Sequence, residues 1–405
     1  MPISFYEARQ QILDTVPALA TEKVPLLAAA GRAVAEDIIA DQPLPVFNNS
    51  AMDGYAVRVA DCVTGAALPI VGYLPAGAST VDTIKPGTVV RIMTGAPIPA
   101  GADAVIPFEN CKEEQQQITI LHRVKKGDHI RWAGEDIRPG DQIIAAGTLL
   151  RPAEISLLAS FHRATVLVHR RVRVAILATG DELQEIDELP FKGGIINSNS
   201  TALGAAVQEV GAIPLLLGIA RDNLTDLQEK IEEGLQADVL ITSAGVSAGD
   251  RDLVREVLEE FGVKEVFWKL KIKPGHPTAF GMHNNTPVFS LPGNPVSTLL
   301  TFEEFVRPAL LKMMGHHTAL KALYRAALTT PIKKKIGRLQ MLRVAVSINQ
   351  DGEMMVSSAG DQNTGILRTS IDAQGIALLP AERDFFAAGE KIEFHLFGAS
   401  TALGY

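Results

Sequence analysis

Ser243-Ala244-Gly245-Val246-Ser247-Ala248-Gly249-Asp250-Arg251-Asp252 combines residue types able to do chemistry. The preceding apolar run, 237–242, predicts a buried parallel strand, and 253–258 has helical spacing. Glycines and serines between a strand and a helix let backbone N–H groups face an anion, and the helix start adds partial positive charge. The aspartates oppose a simple phosphate cradle, since carboxylates repel phosphate. Both chemistries fit one loop if a divalent cation bridges them. The segment is therefore expected to hold a phosphorylated ligand together with a metal ion.

Such a loop needs a sheet behind it. The expected strands are 172–178, 213–219, 239–242, 266–272 and 288–291; the expected helices are 200–210, 224–235, 253–261 and 296–314. This alternation predicts a doubly wound, mostly parallel sheet, whose ligands bind beyond the carboxyl ends of the strands. The remaining strand ends carry Thr179-Gly180-Asp181-Glu182, Arg221-Asp222-Asn223, Lys273-Pro274-Gly275-His276-Pro277 and Pro292-Gly293-Asn294-Pro295. Asp181, Ser200, Asp252 and Asn294 can each also be a helix N-cap, so capping and ligand contact both stay open for them. Carboxylates at Asp181, Glu182, Asp222, Asp250 and Asp252 on one edge would repel one another, which favours a cation or neighbouring Lys273 and Arg251. Without Cys/His metal spacing, Mg²⁺ with oxygen ligands is expected over zinc.

A second constellation is Asn49-Ser50-Ala51-Met52-Asp53-Gly54-Tyr55-Ala56 with Arg91-Ile92-Met93-Thr94-Gly95-Ala96-Pro97. Asp53 alone also suits an Asx turn. Glu135 and Asp136 follow Arg131 and can form a local ion pair. Among the histidines, only His276 falls on the crest of the sheet.

Four regions position these groups: 1–45 with 137–170, helical and linker-like; 46–136, an inserted small β domain rich in Gly and Pro; 171–318, the α/β domain; and 319–405, a second β domain. Helical spacing is expected at Ala8, Ile12, Leu13 and Val16, in a second amphipathic stretch around 26–39, and at 152–160, where Pro152 suits the first turn. A chain of 405 residues exceeds one hydrophobic core. The net charge of −8 argues against a general nucleic-acid binder. No apolar run is long enough for a bilayer, and the start lacks signal-peptide character. Cys62 and Cys111 have no metal or disulfide spacing, as expected of thiols in a cytoplasmic protein.

These segments, in this order and over nearly the whole chain, resemble the molybdopterin molybdenumtransferase family, which includes the C-terminal domain of gephyrin. The carrying residues are the 49–56 and 93–97 segments, Gly134-Glu135-Asp136, Thr179–Glu182, Ser243–Asp252, Lys273-Pro274-Gly275 and Leu291–Ser297. The resemblance implies an elongated homodimer of four-domain subunits. Its activity would be insertion of molybdenum from molybdate into adenylylated molybdopterin, with Mg²⁺, giving molybdenum cofactor and AMP. It puts Asp53, Thr94 and Asp136 on the inserted-domain side of a cleft shared between subunits. Glu182, Asp222 and Asp252 fall on the sheet side, with Lys273, Pro292, Gly293, Asn294 and Pro295 nearby. Glu182 and Asp252 would hold Mg²⁺, Ser243, Gly245, Ser247 and Gly249 would cradle phosphate or pterin, and Lys273 would counter anionic charge. The implied partners are a molybdopterin adenylyltransferase and downstream molybdoenzymes or their chaperones, with no nucleic acid or membrane. His276 and Trp132-Ala133 stand where relatives often carry further cations, which would make anion capture weaker or pH-dependent. Adenylyl transfer and a non-catalytic pterin-binding scaffold are the alternatives. The inserted and C-terminal domains disfavour the first, and the intact acidic set disfavours the second.

Overall fold

Ser4 opens helix α1 (Phe5–Thr15) with a capping box: its hydroxyl accepts the Glu7 N–H while the Glu7 carboxylate accepts the Ser4 N–H. Phe5, Ala8 and Ile12 form the buried face. The computed structural model describes residues 2–78, 83–244 and 253–397. These fall into two compact units, one of residues 36–146 with 156–164, the other of 1–35, 147–155 and 165–405. The second amphipathic stretch does not become a helix. Leu26–Ala29 is a single 3₁₀ turn and Ile38–Ile39 a short strand, because distant pairing overrides periodicity. Thr21–Pro25 pairs with Thr165–His169, and Ile38–Ile39 with Gln142–Ile144.

The smaller unit is built on six strands: β1 (Gly54–Val57), β2 (Ala67–Leu74), β3 (Val89–Ile92), β4 (Ala104–Pro107), β5 (Cys111–Glu114) and β6 (Gln117–Ile120). Their order is β4-β1-β3-β2-β6-β5. Tyr55, Val57 and Ile106 pack on one face and Ala56, Ile92 and Val105 on the other, so β1 sits in the middle of the fold. The sequence hides β5 because Lys112, Glu113 and Glu114 are exposed and charged, as an edge strand tolerates. A helix, α2 (Pro152–Ser160), begins at Pro152 as expected.

In the larger unit, the region 171–318 forms a six-stranded sheet: β7 (Arg173–Thr179), β8 (Ile213–Ala220), β9 (Val239–Ser243), β10 (Lys264–Trp268), β11 (Ala279–His283) and β12 (Thr286–Leu291). Its order is β8-β7-β9-β12-β11-β10. The first four strands are mutually parallel, which brings their carboxyl ends to one edge; β11 reverses direction. The helices α3 (Ser198–Glu209), α4 (Leu224–Gly234) and α5 (Leu253–Glu260) follow β7, β8 and β9 in sequence. The central strands β7, β9 and β12 are buried on both sides. Val174, Ile176 and Ile241 join a core with Leu203 and Phe289, while Ala175, Leu177 and Leu240 join another with Leu227 and Val257. A continuous helical stretch follows β12, as α6 (Pro295–Thr301), a π-helical turn over Phe302–Val306, and α7 (Arg307–Met313).

The last region contributes β13 (Tyr324–Leu328), β14 (Leu339–Ile348), β15 (Met354–Ser358), β16 (Gly375–Leu379) and β17 (Lys391–Leu396). Their order β14-β15-β13-β17-β16 returns from β16 to β14, closing a small barrel around Val344, Val356 and Phe394. The chain is thus a multidomain α/β protein with an inserted β domain and a C-terminal β barrel.

Candidate active site

The parallel strand ends of β7, β9 and β12 surround a cavity of about 440 Å³. Glu182 lines it from the β7 loop, Ser243 and Ala244 from the end of β9, and Pro292, Gly293, Asn294 and Pro295 from the β12 loop. Gly180 makes the first turn possible, with φ +142°, and the Glu182 carboxylate folds over the space where a Cβ would stand. Ala244 holds a positive φ of +77°, steadied by its N–H on the Leu291 carbonyl at 3.1 Å. Asn294 occupies the N-cap position of α6, yet its side chain makes no capping bond. Ser200 is not a cap: Asn197 caps α3 instead, its Oδ1 accepting the Ser200 N–H at 3.2 Å.

Asn197, Ser198 and Asn199 also line the cavity, and sequence reasoning passed over them. Their signal was the run of four cap-type residues after Ile195-Ile196, read only from Ser200 onward. Asn199 Nδ2 donates to Ser243 Oγ at 2.9 Å and to the Gly293 carbonyl at 2.8 Å. One amide thereby ties together the ends of three loops.

Among the described residues, the carboxylates do not gather as one cluster. Asp181 and Asp222 accept each other's backbone N–H, at 3.1 Å into Asp181 and 3.4 Å into Asp222, which laces the β7 and β8 loops together. Arg221 supports the same lace, donating to the Leu183 carbonyl at 2.8 Å. Asp222 therefore does not line the cavity that Glu182 enters. Gly245, Ser247, Gly249 and Asp252, with Asp250 and Arg251, lie outside the described residues. Within the described residues, no three Asp, Glu, His or Cys side chains group as a metal cage.

Lys273 takes a different position from the one its sequence neighbours implied. Ile272–Lys273 leaves the sheet and pairs in parallel with β14 of the barrel. Lys273 lines a second cavity of about 450 Å³ with Gln340, Arg343 and Asn363. Arg343 is fully buried and donates to the Asp361, Asn363 and Ile366 carbonyls, so it shapes that wall rather than its opening. His276 is half-buried, with Nδ1 2.5 Å from the Leu270 carbonyl, so that nitrogen is not turned to a ligand.

In the smaller unit, Asp53 precedes β1 and Thr94 follows β3. Asp53 Oδ1 accepts the Thr94 N–H at 2.7 Å and its hydroxyl at 2.8 Å, rather than closing an Asx turn. These two bonds, the backbone one first, hold the Asp53 carboxyl below its usual range. The pair is exposed, so it presents an ionised carboxylate to solvent at neutral pH. Asp136 is exposed nearby in sequence to Glu135, whose carboxylate accepts the Trp132 N–H at 2.8 Å; no ion pair with Arg131 forms among the described residues.

A cavity at the carboxyl edge of a parallel sheet, lined by apolar residues with a few convergent polar side chains, is the place where proteins of this doubly wound class bind ligands. Family models match residues 3–161 as the MoeA N-terminal region (domain I and II), 175–312 as a probable molybdopterin binding domain, and 325–397 as the MoeA C-terminal region (domain IV). The molybdopterin molybdenumtransferase of Haemophilus influenzae is 38% identical over 96% of this chain and 98% of its own length. That of a Nostoc species is 35% identical over 92% of this chain and 88% of its own. The crystal structure of a molybdopterin biosynthesis MoeA protein from Pyrococcus horikoshii superposes with a TM-score of 0.83 at 29% identity, covering 99% of this chain and all of that one. The chain belongs to the molybdopterin molybdenumtransferase family, transferases of molybdenum cofactor biosynthesis. Among the described residues, no helix is long and apolar enough to cross a membrane.

Proposed function

We propose that this protein inserts molybdenum from molybdate into adenylylated molybdopterin, releasing AMP and molybdenum cofactor, in a Mg²⁺-dependent reaction of the cytoplasm. The observation that carries the reading is the cavity at the strand ends, where Glu182, Ser243 and Pro292–Pro295 converge in a chain related over its full length to enzymes of that name. The donors fit Mg²⁺, being oxygen and amide groups without thiol or imidazole. A single described carboxylate suits an ion held by one or two protein carboxylates and by substrate phosphates, with Asp252 as the second protein ligand. When bound, Mg²⁺ would neutralise phosphate charge.

The protein's own part is positioning and electrostatic stabilisation. Ser243, with Gly245, Ser247 and Gly249, would hold phosphate or pterin, and the Pro292–Pro295 loop would fix the opposite wall. Lys273 would attract the molybdate substrate to its own cavity. Asp53, Thr94 and Asp136 would act from the smaller unit, with Asp222 bracing the strand-end loops. The protein is proposed to work as a homodimer, receiving substrate from a molybdopterin adenylyltransferase and delivering product to molybdoenzymes or their chaperones.

Purified protein given adenylylated molybdopterin, molybdate and Mg²⁺ should release AMP and restore activity to a cofactor-free molybdoenzyme. Absence of AMP release would refute the reading. Glu182→Gln should abolish turnover while ligand still binds. Full turnover in that variant would place the chemistry elsewhere, and binding without turnover in the wild type would indicate a scaffold.

A further inference from the structure

Asn197 and Asn199 stand at the amino end of α3, and the sense of each carboxamide is fixed by its partner. Asn197 Oδ1 accepts a backbone N–H, which leaves Nδ2 as the other end. That Nδ2 is buried with no partner among the described residues, and Asn197, only 4% exposed, lines the cavity. Asn199 Nδ2 is equally unambiguous, because the Gly293 carbonyl can only accept. Its second hydrogen goes to Ser243 Oγ. Ser243, itself buried, is thereby an acceptor to Asn199, and its own hydroxyl proton has no acceptor among the described residues.

Two buried donors with no acceptor among the described residues are groups that an entering acceptor would satisfy. Both belong to the same cavity wall. The first N–H groups of a helix add to them, since no intrahelical acceptor exists for the opening turn. Asn197 Nδ2, the Ser243 hydroxyl and the opening N–H groups of α3 thus place donors on one side of the cavity, and α3 is long enough, at 12 residues, to carry a helix-end field.

We propose that Asn197 and Asn199 recognise a phosphoryl group of the substrate, Asn197 by donating to it directly and Asn199 as a positioning residue that turns the Ser243 hydroxyl toward it. This rests on the reading of the cavity as the substrate site. Glu182 lines the same cavity and would repel a phosphoryl group unless a cation intervenes, so the amide wall supplies donors that carry no charge of their own.

The test measures kcat and KM for adenylylated molybdopterin, AMP affinity by calorimetry, and thermal stability, in full-length protein. Asn197→Ser retains a capping oxygen but lacks Nδ2. It should raise KM by about tenfold or more, with kcat changed less and the melting temperature held. Asn199→Ala should raise KM similarly in the wild-type background and have little further effect in Ser243→Ala. A parallel loss of AMP affinity would assign the nucleotide phosphate, and unchanged AMP affinity with raised KM the pterin-side phosphate. Unchanged KM in both single variants would overturn the proposal, as would an Asn199→Ala effect undiminished in Ser243→Ala. Failure of the wild type to turn over would instead refute the function on which the proposal rests.

Discussion

Replacing Gly180 by alanine perturbs Glu182 without altering its chemistry. Gly180 has φ +142°, a conformation L side chains rarely adopt, so any side chain there costs about 1–3 kcal/mol of strain. The new Cβ would stand 2.6 Å from Glu182 Oε2 and 2.8 Å from Cδ and Oε1. Ordinary contact begins at 3.4 Å, so the carboxylate must retreat by about 0.8 Å, the difference between 3.4 and 2.6 Å. Glu182 is exposed and can swing away cheaply. The stability loss should therefore stay near the strain figure, read as a shifted urea midpoint. Activity should fall further, because a misplacement of about 1 Å can cost on the order of 100-fold. AMP release followed against Mg²⁺ concentration should show lower turnover and a higher Mg²⁺ requirement. The double variant with Glu182→Gln should lose no more activity than Glu182→Gln alone. A destabilised Gly180→Ala protein with wild-type turnover and Mg²⁺ dependence would refute the placement of Glu182 at the chemistry.

Three further outcomes follow from other contacts. Thr94→Val removes the hydroxyl bond to Asp53 and leaves the backbone one, so the depressed Asp53 pKa should rise toward its usual value. The acid limb of kcat/KM should then move to higher pH, Thr94→Ser should not move it, and an unmoved limb in both would remove ionised Asp53 from the reaction. Burial, then Arg307 and His169, pushes the His316 pKa from 6.5 to about 4. The folded value lies below the unfolded one, so this contribution is full above about pH 6.5 and falls toward pH 4, by at most about 1.4 kcal/mol per pH unit. His316→Gln should flatten that acid slope in urea titrations at pH 7 and 5; an unchanged slope would exclude His316 as its source. Arg343→Met strips four acceptors of one buried guanidinium, the Asp361, Asn363 and Ile366 carbonyls and Ser370 Oγ. It should cost about 2–4 kcal/mol in urea unfolding, and a loss under 1 kcal/mol would mean water replaces the guanidinium.

The architecture was legible where one strand or helix carries its own signal. β7, β9 and β12 are buried on both faces and so stand out as apolar runs, and α2 begins at the proline that suits a first turn. β11 was not legible, because Gly281 interrupts its apolar run. That glycine is there for a reason outside β11: a Cβ would come within 2.9 Å of the Lys264 carbonyl on β10. The stretch 26–39 differs in the opposite way: it has helical periodicity, but Ala33 and Val34 bridge to Leu149 and Val168 and Ile38–Ile39 pairs with Gln142–Ile144.

The same division runs through the candidate site. That polar loops meet at one edge followed from strand order alone, since parallel strands put their carboxyl ends together. Which side chains then face one another did not follow. Asp181 and Asp222 are 41 residues apart, and Asn199 and Gly293 are 94 apart. The first pair forms because β7 and β8 lie side by side, the second because the start of α3 meets the loop after β12, and residue spacing encodes neither. A count of carboxylates at strand ends consequently overstates the charge facing a ligand: two of them are spent on backbone N–H groups, and Glu182 alone of the described acids enters the cavity. Lys273 follows the same logic, because pairing with β14 draws it to the barrel. Among the described residues, the acidic charge facing the cavity is therefore smaller than a count of acids at the strand ends would make it.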